Sequence, residues 1–189
     1  IMQKIFNQEI RFKDDNGNDF EDWEEKTLGS LCKITTGKLD ANAMVEDGEY
    51  RFYTCAKDYY RIDKYAFDTE ALLISGNGAN VGYIHYYKGK FNAYQRTYIL
   101  DRFEENMTYV KFFLQMFLPK RIKGEKNDGN TPYIVLSTLS EMEFSIPCII
   151  EQTKIANFLS AIDKKIELVS NQIQDTQEYK KGLLQQMFV

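Results

Sequence analysis

The sequence predicts an α+β protein in which a globular mixed α/β domain is followed by a long coiled-coil-forming α-helix. Two observations carry this prediction. From Lys26 to about Pro147, short β-rich runs alternate with Gly and Asn, and one helical stretch interrupts them. After Pro147 the chain contains no further proline and no glycine before Gly182, while apolar residues recur at alternating spacings of four and three.

The globular part is predicted to contain several strands and one helix. β-branched and aromatic residues dominate each strand, and turn-forming Gly and Asn residues separate the strands. Apolar residues spaced by three and four predict the helix at 108–122, and Pro119 is expected to disturb its last turns. The predicted strands are ALLIS (71–75), GYIHYY (82–87), TYILD (97–101) and EMEFSIP (141–147).

The N-terminal region differs from the rest of the chain. KDDNGNDFEDWEE (13–25) is acidic and turn-rich, which predicts a linker, and Trp23 is expected to anchor the domain that follows. IMQKIF (1–6) nearly matches LLQQMF (183–188) near the other terminus. If this match reflects a repeat, Ile1 lies within an element and the chain is one unit of a repeating arrangement.

Composition limits the class of protein. The chain has 189 residues, 43% hydrophobic and 28% charged, which is typical of a soluble globular protein, and no apolar run predicts a membrane span. Three widely spaced cysteines and a single histidine argue against a disulfide framework or a zinc site. The net charge is −4, but residues 111–126 hold five bases against one acid, which suits either nucleic acid or a solvated helix end.

SGNGANVG (75–82) follows a predicted strand and could present backbone N–H groups to a phosphate. Its three glycines satisfy neither of the common nucleotide-binding patterns, and the next segment predicts a strand rather than a helix. A hairpin turn, in which Gly and Asn adopt positive φ, is the alternative.

KGKFNAYQRTYIL (88–100) interleaves cationic and aromatic side chains. Gln95 and Arg96 are residue types that bind adenine and guanine edges bidentately, and both lie beside a predicted strand. A half-exposed strand with one inner and one outer face would show the same alternation. The stretch therefore predicts either a DNA contact or an ordinary sheet face.

A search for catalytic motifs gives little support for an enzyme, because the motifs of methyltransferases and nucleases are missing or incomplete. The three prolines stand alone, so the Asn/Asp-Pro-Pro-aromatic loop of amino-methyltransferases is missing from the sequence. The Glu-x-Lys at Glu24 to Lys26 has no Pro-Asp before it, which argues against a nuclease site. A stand-alone enzyme that uses His85 with a carboxylate is kept as a third hypothesis.

Five stretches of the chain together match one known family. They are WEEKTLGSLCKITTGK (23–38), FYTCAKD (52–58), LLISGNGANVG (72–82), GKFNAYQRTYIL (89–100) and FSIPCIIEQTKIANFLSAIDKKI (144–166), of which the last is the most specific. With these stretches the chain resembles the second half of type I restriction-modification specificity subunits (HsdS), in which two target recognition domains are each followed by a spacer helix. The resemblance implies the end of a preceding spacer helix and a linker at 1–22, a target recognition domain at 23–148 and a coiled-coil spacer helix at 149–189.

The resemblance also implies a function. The chain would be a non-catalytic, prokaryotic and cytoplasmic subunit that recognises one half of a bipartite target in double-stranded DNA. It would dock the modification (methyltransferase) subunit, on which S-adenosylmethionine is expected, and would itself hold no cofactor and no metal. A restriction subunit would join indirectly. Because a full subunit pairs two spacer helices antiparallel, we expect either a homodimer of half-subunits or pairing with the first spacer helix of a full subunit.

Two sets of site residues follow. The expected DNA-binding residues, in the glycine turn, in the next block and in predicted loops, are Thr36, Lys38, Lys57, Asn77, Asn80, Gln95, Arg96, Lys123, Lys126 and Asn130. The expected coiled-coil and partner interface is Ile155, Leu159, Ile162, Ile166, Val169, Ile173, Leu183 and Met187. A coiled-coil scaffold without DNA binding is the alternative, and the salt dependence of binding separates the two hypotheses, because phosphate contacts weaken steeply as salt rises.

Overall fold

The computed structural model describes residues 1–125 and 132–187. Strands dominate the middle of the chain and a long helix forms its last part, so the predicted fold class is confirmed. The helices are α1 (Met2–Phe6), α2 (Leu28–Leu31), α3 (Met107–Gly124), α4 (Leu136–Ser140) and α5 (Ile149–Met187). The strands are β1 (Glu24–Thr27), β2 (Lys33–Thr36), β3 (Tyr50–Tyr53), β4 (Tyr60–Ile62), β5 (Phe67–Ser75), β6 (Ile84–Ala93), β7 (Thr97–Asp101) and β8 (Glu143–Ile146). Within these two ranges, none of the helices has the length and apolar character needed to cross a membrane.

Six strands form the main sheet, in the order β2-β7-β5-β6-β3-β4. β5 lies between β6 and β7 and is antiparallel to both, whereas β3 runs parallel to β6. β5 and β7 contain the runs predicted at 71–75 and 97–101, and β6 begins within the run predicted at 82–87 and continues beyond it. Those strand predictions are therefore confirmed, and a separate pair, β1 and β8, forms a small second sheet.

The main sheet is strongly curved. Phe67 and Ser75, at the two ends of β5, pair with Phe91 of β6 and Thr97 of β7 respectively. Eight residues of straight strand would separate those ends by about 26 Å, whereas the chain from residue 91 to residue 97 reaches at most about 21 Å. β6 must therefore coil back toward the start of β7. Gly89, with a φ of 131°, lies midway along this strand.

Alternation along β5 builds two hydrophobic cores. Leu72 and Ile74 belong to a large core that includes α3 and the start of α5, whereas Ala71 and Leu73 belong to a smaller core inside the curved sheet. All four side chains are fully buried. A strand buried on both faces needs a continuous apolar run, which explains why this stretch does not alternate with polar residues.

α3 supplies much of the large core. Phe113 stacks on Phe144 of β8 with 4.0 Å between ring centroids. The helix continues through Pro119 to Gly124, so the expectation that Pro119 disturbs its last turns is wrong. Pro119 and Gln115, whose carbonyl would have accepted the missing N–H, are both exposed, so water can satisfy that carbonyl.

The N-terminal segment packs on the domain rather than leaving it. Phe6 is buried, and its ring meets those of Tyr109, Phe113 and Phe117 edge-on, with centroids between 5.3 and 6.0 Å apart. Residues 11–23, which we call the strap, contact the first turns of α5 through Arg11 and the Phe12 ring. Residues 13–23 of the predicted linker therefore belong to the strap and contact α5, whereas its last two residues begin β1.

α5 leaves the domain after its first three turns. Ile155, Ala156 and Leu159 are buried in the large core, but no side chain from residue 160 to residue 186 is buried. At about 1.5 Å per residue, these 27 positions extend roughly 40 Å. Nothing in the described part of the chain covers this length of helix.

Candidate nucleic-acid interface

Four loops meet at one edge of the curved sheet. They are the last residue of β2 with the loop after it (36–40), the loop after β3 (54–58), the turn from β5 toward β6 (76–82) and the turn after β6 with the first residue of β7 (94–97). We call these four segments the loop edge. The curvature of the sheet brings them together, because β6 coils until the turn that follows it lies beside the end of β5. They are far apart in the sequence and become neighbours only in the fold.

Backbone hydrogen bonds lock the loops of the loop edge to one another. The carbonyl of Arg96 accepts from the Gly76 N–H at 2.8 Å, and the carbonyl of Thr97 accepts from the Gly37 N–H at 3.3 Å. The Asn80 amide donates to the Cys55 carbonyl at 3.0 Å. Such mutual bonding gives the exposed side chains of these loops a fixed frame, which is what a recognition surface needs.

Glycine is required where these loops touch. A Cβ on Gly76 would overlap the Arg96 carbonyl, so no side chain fits at this position. Gly78 and Gly82 have φ values of 78° and 83°, which only glycine adopts without strain. The hairpin alternative predicted for this stretch is confirmed, because β5 and β6 are antiparallel neighbours, although glycine alone supplies the positive φ there.

The loop edge also contacts the C-terminal end of α3. Gly82 lies against the Ile122 side chain, and the Gly78 N–H donates to the carbonyl of Pro132 at 3.0 Å. The Ile134 N–H donates in turn to the carbonyl of Gly76 at 2.9 Å. Lys123, on the last turn of α3, is exposed. The basic end of α3 thus lies beside the glycine turn.

The predicted DNA-binding residues divide by exposure. Lys38, Lys57, Gln95 and Arg96 are exposed at the loop edge, and Lys123 is exposed beside it. Thr36, Asn77 and Asn80 are half-buried in the same loops. Lys126 and Asn130 lie outside the described residues.

Two of the amides have identified partners. The Asn80 amide nitrogen is committed to the Cys55 carbonyl, so it holds two loops together. The Gln95 amide nitrogen donates to Asp40 Oδ1 at 2.9 Å, which orients the amide while leaving its oxygen available as an acceptor. Gln95 is thus held in place at an exposed position, whereas the NH₂ group of Asn80 is already used by the fold.

The cations of the loop edge are free to bind a ligand. Lys38, Lys57 and Arg96 form no ion pair with any carboxylate in residues 1–125 or 132–187. Asp40 and Asp58 are exposed in the same loops and moderate the positive charge. The chemistry available here is that of phosphate contact combined with hydrogen bonding to base edges.

The sequence did not predict two exposed aromatic residues at this site. Tyr83 and Tyr133 are 39% and 59% exposed, and Tyr133 forms a β-bridge with Asn77 of the glycine turn. Tyr83 immediately precedes β6, with its ring 4.8 Å from that of His85. Their only sequence signal is the turn residue on the N-terminal side of each, Gly82 and Pro132.

His85 packs within the fold. Its Nε2 donates to the carbonyl of Ala56 at 2.9 Å, its ring is 5.1 Å from that of Tyr53, and burial lowers the pKa of its imidazole below the ordinary value. The described ranges contain no group of three or more His, Cys, Asp or Glu side chains suited to a metal ion. The environment of His85 is that of a residue that ties β6 to the loop after β3.

The predicted coiled-coil face changes character along α5. Ile155 and Leu159 are 0% and 4% exposed and fill the chain's own core, so they are corrected from partner contacts to core residues. Ile162 is half-buried, whereas Ile166, Val169 and Ile173 are between 45% and 59% exposed. Leu183 is 43% exposed. The side chain of Met187 lies outside what the structure describes.

Comparison with known proteins identifies the family. A model described as the type I restriction modification DNA specificity domain matches residues 20–177, and the chain belongs to this family. It is 36% identical over 164 residues to the Type I restriction enzyme EcoDI specificity subunit of Escherichia coli, covering 87% of this chain and 36% of that protein. It is 26% identical over 202 residues to the MjaVIII specificity subunit of Methanocaldococcus jannaschii, covering 100% of this chain and 47% of that protein.

Solved structures share the fold. The S subunit of a type I restriction-modification system from M. genitalium superposes with a TM-score of 0.67 at 20% identity, over 86% of this chain and 43% of that one. The HsdS subunit from Thermoanaerobacter tengcongensis gives a TM-score of 0.64 at 16% identity, over 90% of this chain and 44% of that one. The chain spans less than half the length of each of these relatives.

Proposed function

We propose that the loop edge binds double-stranded DNA and recognises one half of a bipartite target. The observation that carries this proposal is the convergence of four hydrogen-bonded loops whose exposed side chains include an oriented amide and three cations without an ion pair among the described residues. Lys38, Lys57 and Arg96 would contact phosphates, while Gln95 would contact a base edge. The chain supplies specificity and leaves catalysis to a partner.

The distribution of charge supports this orientation on DNA. The acidic N-terminal region contacts the start of α3, since the rings of Phe6 and Trp23 both pack edge-on against that of Tyr109 in the first turn of this helix. The loop edge contacts the other end of α3, about 27 Å away for an 18-residue helix. DNA is thus attracted at one end of the domain and repelled at the other, despite the net charge of −4.

We further propose that the exposed stretch of α5 pairs with another spacer helix and that the modification subunit docks on the assembled pair. The support is the row of large apolar side chains that remains exposed from Ile166 to Leu183, which is unusual for a helix surrounded by water. A second copy of this chain, or the preceding half of a full subunit, could supply the partner helix. The length of α5 would then set the distance between the two half-sites.

One experiment tests the function as a whole. The chain is co-expressed with the modification subunit of its system, and N6-methyladenine is mapped across the host genome. A bipartite motif with inverted halves supports both DNA recognition and a two-fold assembly. If the two proteins copurify and no motif is methylated, specific recognition by this chain alone is contradicted.

Binding measurements with matched variants locate the DNA surface. Lys57→Ala should lower the slope of log affinity against log salt by about one, as expected for one lost phosphate contact. The control Lys164→Ala removes the same charge from the exposed part of α5. Equal effects of the two variants would contradict a DNA surface at the loop edge, and binding that does not vary with salt would favour a scaffold instead.

A further inference from the structure

The first turn of α5 contains a fully buried carboxylate that the DNA-binding site does not use. Glu151 is 0% exposed. Arg11 of the strap binds both of its oxygens, at 2.8 and 3.3 Å, and the Trp23 indole N–H donates to it at 3.1 Å. The same arginine also donates to the carbonyl of Glu21 at 2.6 Å, so it joins the two ends of the strap to each other as well as to α5.

The next residue of α5, Gln152, has a buried side-chain amide whose nitrogen and oxygen are both hydrogen-bonded. Gln152 is 1% exposed, and its amide nitrogen donates to the Pro147 carbonyl at 2.8 Å and to Glu105 Oε2 at 2.7 Å. Its amide oxygen accepts from the Asn106 N–H at 2.9 Å. Since Asn106 caps α3, Gln152 connects the first turn of α5 directly to the first turn of α3.

We propose that Glu151 and Gln152 are positioning residues that fix the angle at which α5 leaves the recognition domain, and thereby the spacing between half-sites. The inference rests on the proposed function, because the spacing matters only if α5 joins two recognition domains. Ile155, Ala156 and Leu159 also hold α5, but apolar contacts are non-directional and tolerate small tilts. Buried hydrogen-bonded groups require defined directions and leave unsatisfied partners when the helix tilts.

The length of α5 amplifies any error in that angle. From Gln152 to Met187 the helix extends about 53 Å, so a tilt of about 10° would move its far end by roughly 9 Å. One base pair of DNA rises about 3.4 Å, so the displacement corresponds to roughly two or three base pairs. A domain that must select one spacing therefore needs a rigid junction, and the two buried side chains supply one.

Glu151→Gln is the most direct test of the junction between α5 and the recognition domain. It preserves the shape of the side chain, but it removes the charge and turns an amide nitrogen toward the Arg11 or Trp23 donors. The matched control is Asp163→Asn, the same change of carboxylate to amide at an exposed position of the same helix. Trp23→Phe, which removes the indole N–H, is the milder second variant and replaces E151Q if that variant is unfolded by circular dichroism.

The angle itself can be measured without DNA. Spin labels are attached through unnatural amino acids at Lys64 and Gln177, both exposed, and the labelled chain is diluted with unlabelled chain. Pulsed dipolar spectroscopy should give one narrow distance distribution for the wild type and for D163N. E151Q should broaden it by several ångströms. Equal widths in E151Q and D163N would overturn the inference.

Methylation mapping gives the functional consequence. Wild type and D163N should methylate targets with a single spacing, whereas E151Q should also methylate targets whose spacing differs by one to three base pairs, as the helix geometry implies. Unchanged spacing in E151Q would overturn the proposal. If even the wild type methylates nothing while E151Q broadens the distance distribution, the proposed function fails and the geometric role of Glu151 stands.

Discussion

Gly76→Ala tests whether the loop edge depends on close backbone contact. A Cβ at this position would overlap the Arg96 carbonyl, the same atom that accepts the Gly76 N–H at 2.8 Å. The two segments must separate, which breaks that bond and disturbs the Ile134 N–H bond to the Gly76 carbonyl. Two hydrogen bonds at about 1 kcal/mol each, together with about 1–3 kcal/mol of overpacking, give a loss of roughly 3–5 kcal/mol.

Gly78→Ala is the control in the same loop. Its φ is 78°, but no atom lies within 4 Å of the added Cβ, so the cost is the left-handed strain alone, about 1–2 kcal/mol. Urea unfolding followed by circular dichroism measures both free energies of unfolding. G76A should also weaken DNA binding, because it displaces Arg96. The same free energy of unfolding in the two variants would refute the reasoning.

Three other predictions concern single side chains. Val169→Asp should change the free energy of unfolding by no more than about 0.5 kcal/mol relative to the wild type, since Val169 is 45% exposed. It should abolish helix pairing as measured by analytical ultracentrifugation, and an unchanged association constant would contradict the paired helix. Burial raises the pKa of the Cys32 thiol to about 12, so at pH 8 a disulfide reagent should modify the exposed Cys148 first. Peptide mass spectrometry measures the order of labelling, and rapid labelling of Cys32 would contradict the prediction. Because burial lowers the pKa of His85 in the folded state, its contribution to stability is present above the unfolded pKa of about 6.5 and is lost as the pH falls. Urea unfolding of His85→Gln should therefore show a weaker loss of stability between pH 7 and pH 5 than the wild type, and identical pH profiles would contradict the assignment.

Local patterns were sufficient to predict the main elements. The β-branched and aromatic runs became the central strands because each run is long enough to span the sheet and is bounded by turn residues. The helical pattern after Pro147 became α5 for an equally local reason, since it contains no proline and no glycine before Gly182. Pro119 was misjudged because a helix tolerates proline where the orphaned carbonyl faces water, and exposure is not visible in the sequence.

The sequence by itself determined the central strands, the two long helices, the family resemblance and the chemistry available to the loops. Only the tertiary structure decided what each face of these strands and helices contacts. A heptad pattern shows that one side of α5 is apolar, but it cannot show that the core covers Ile155 and Leu159 while Ile166 stays exposed. In the same way, Arg11 and Glu151 are 140 residues apart, and their pairing depends on how the whole domain closes. Periodicity is a local property, whereas burial and partner choice are set by segments distant in the chain.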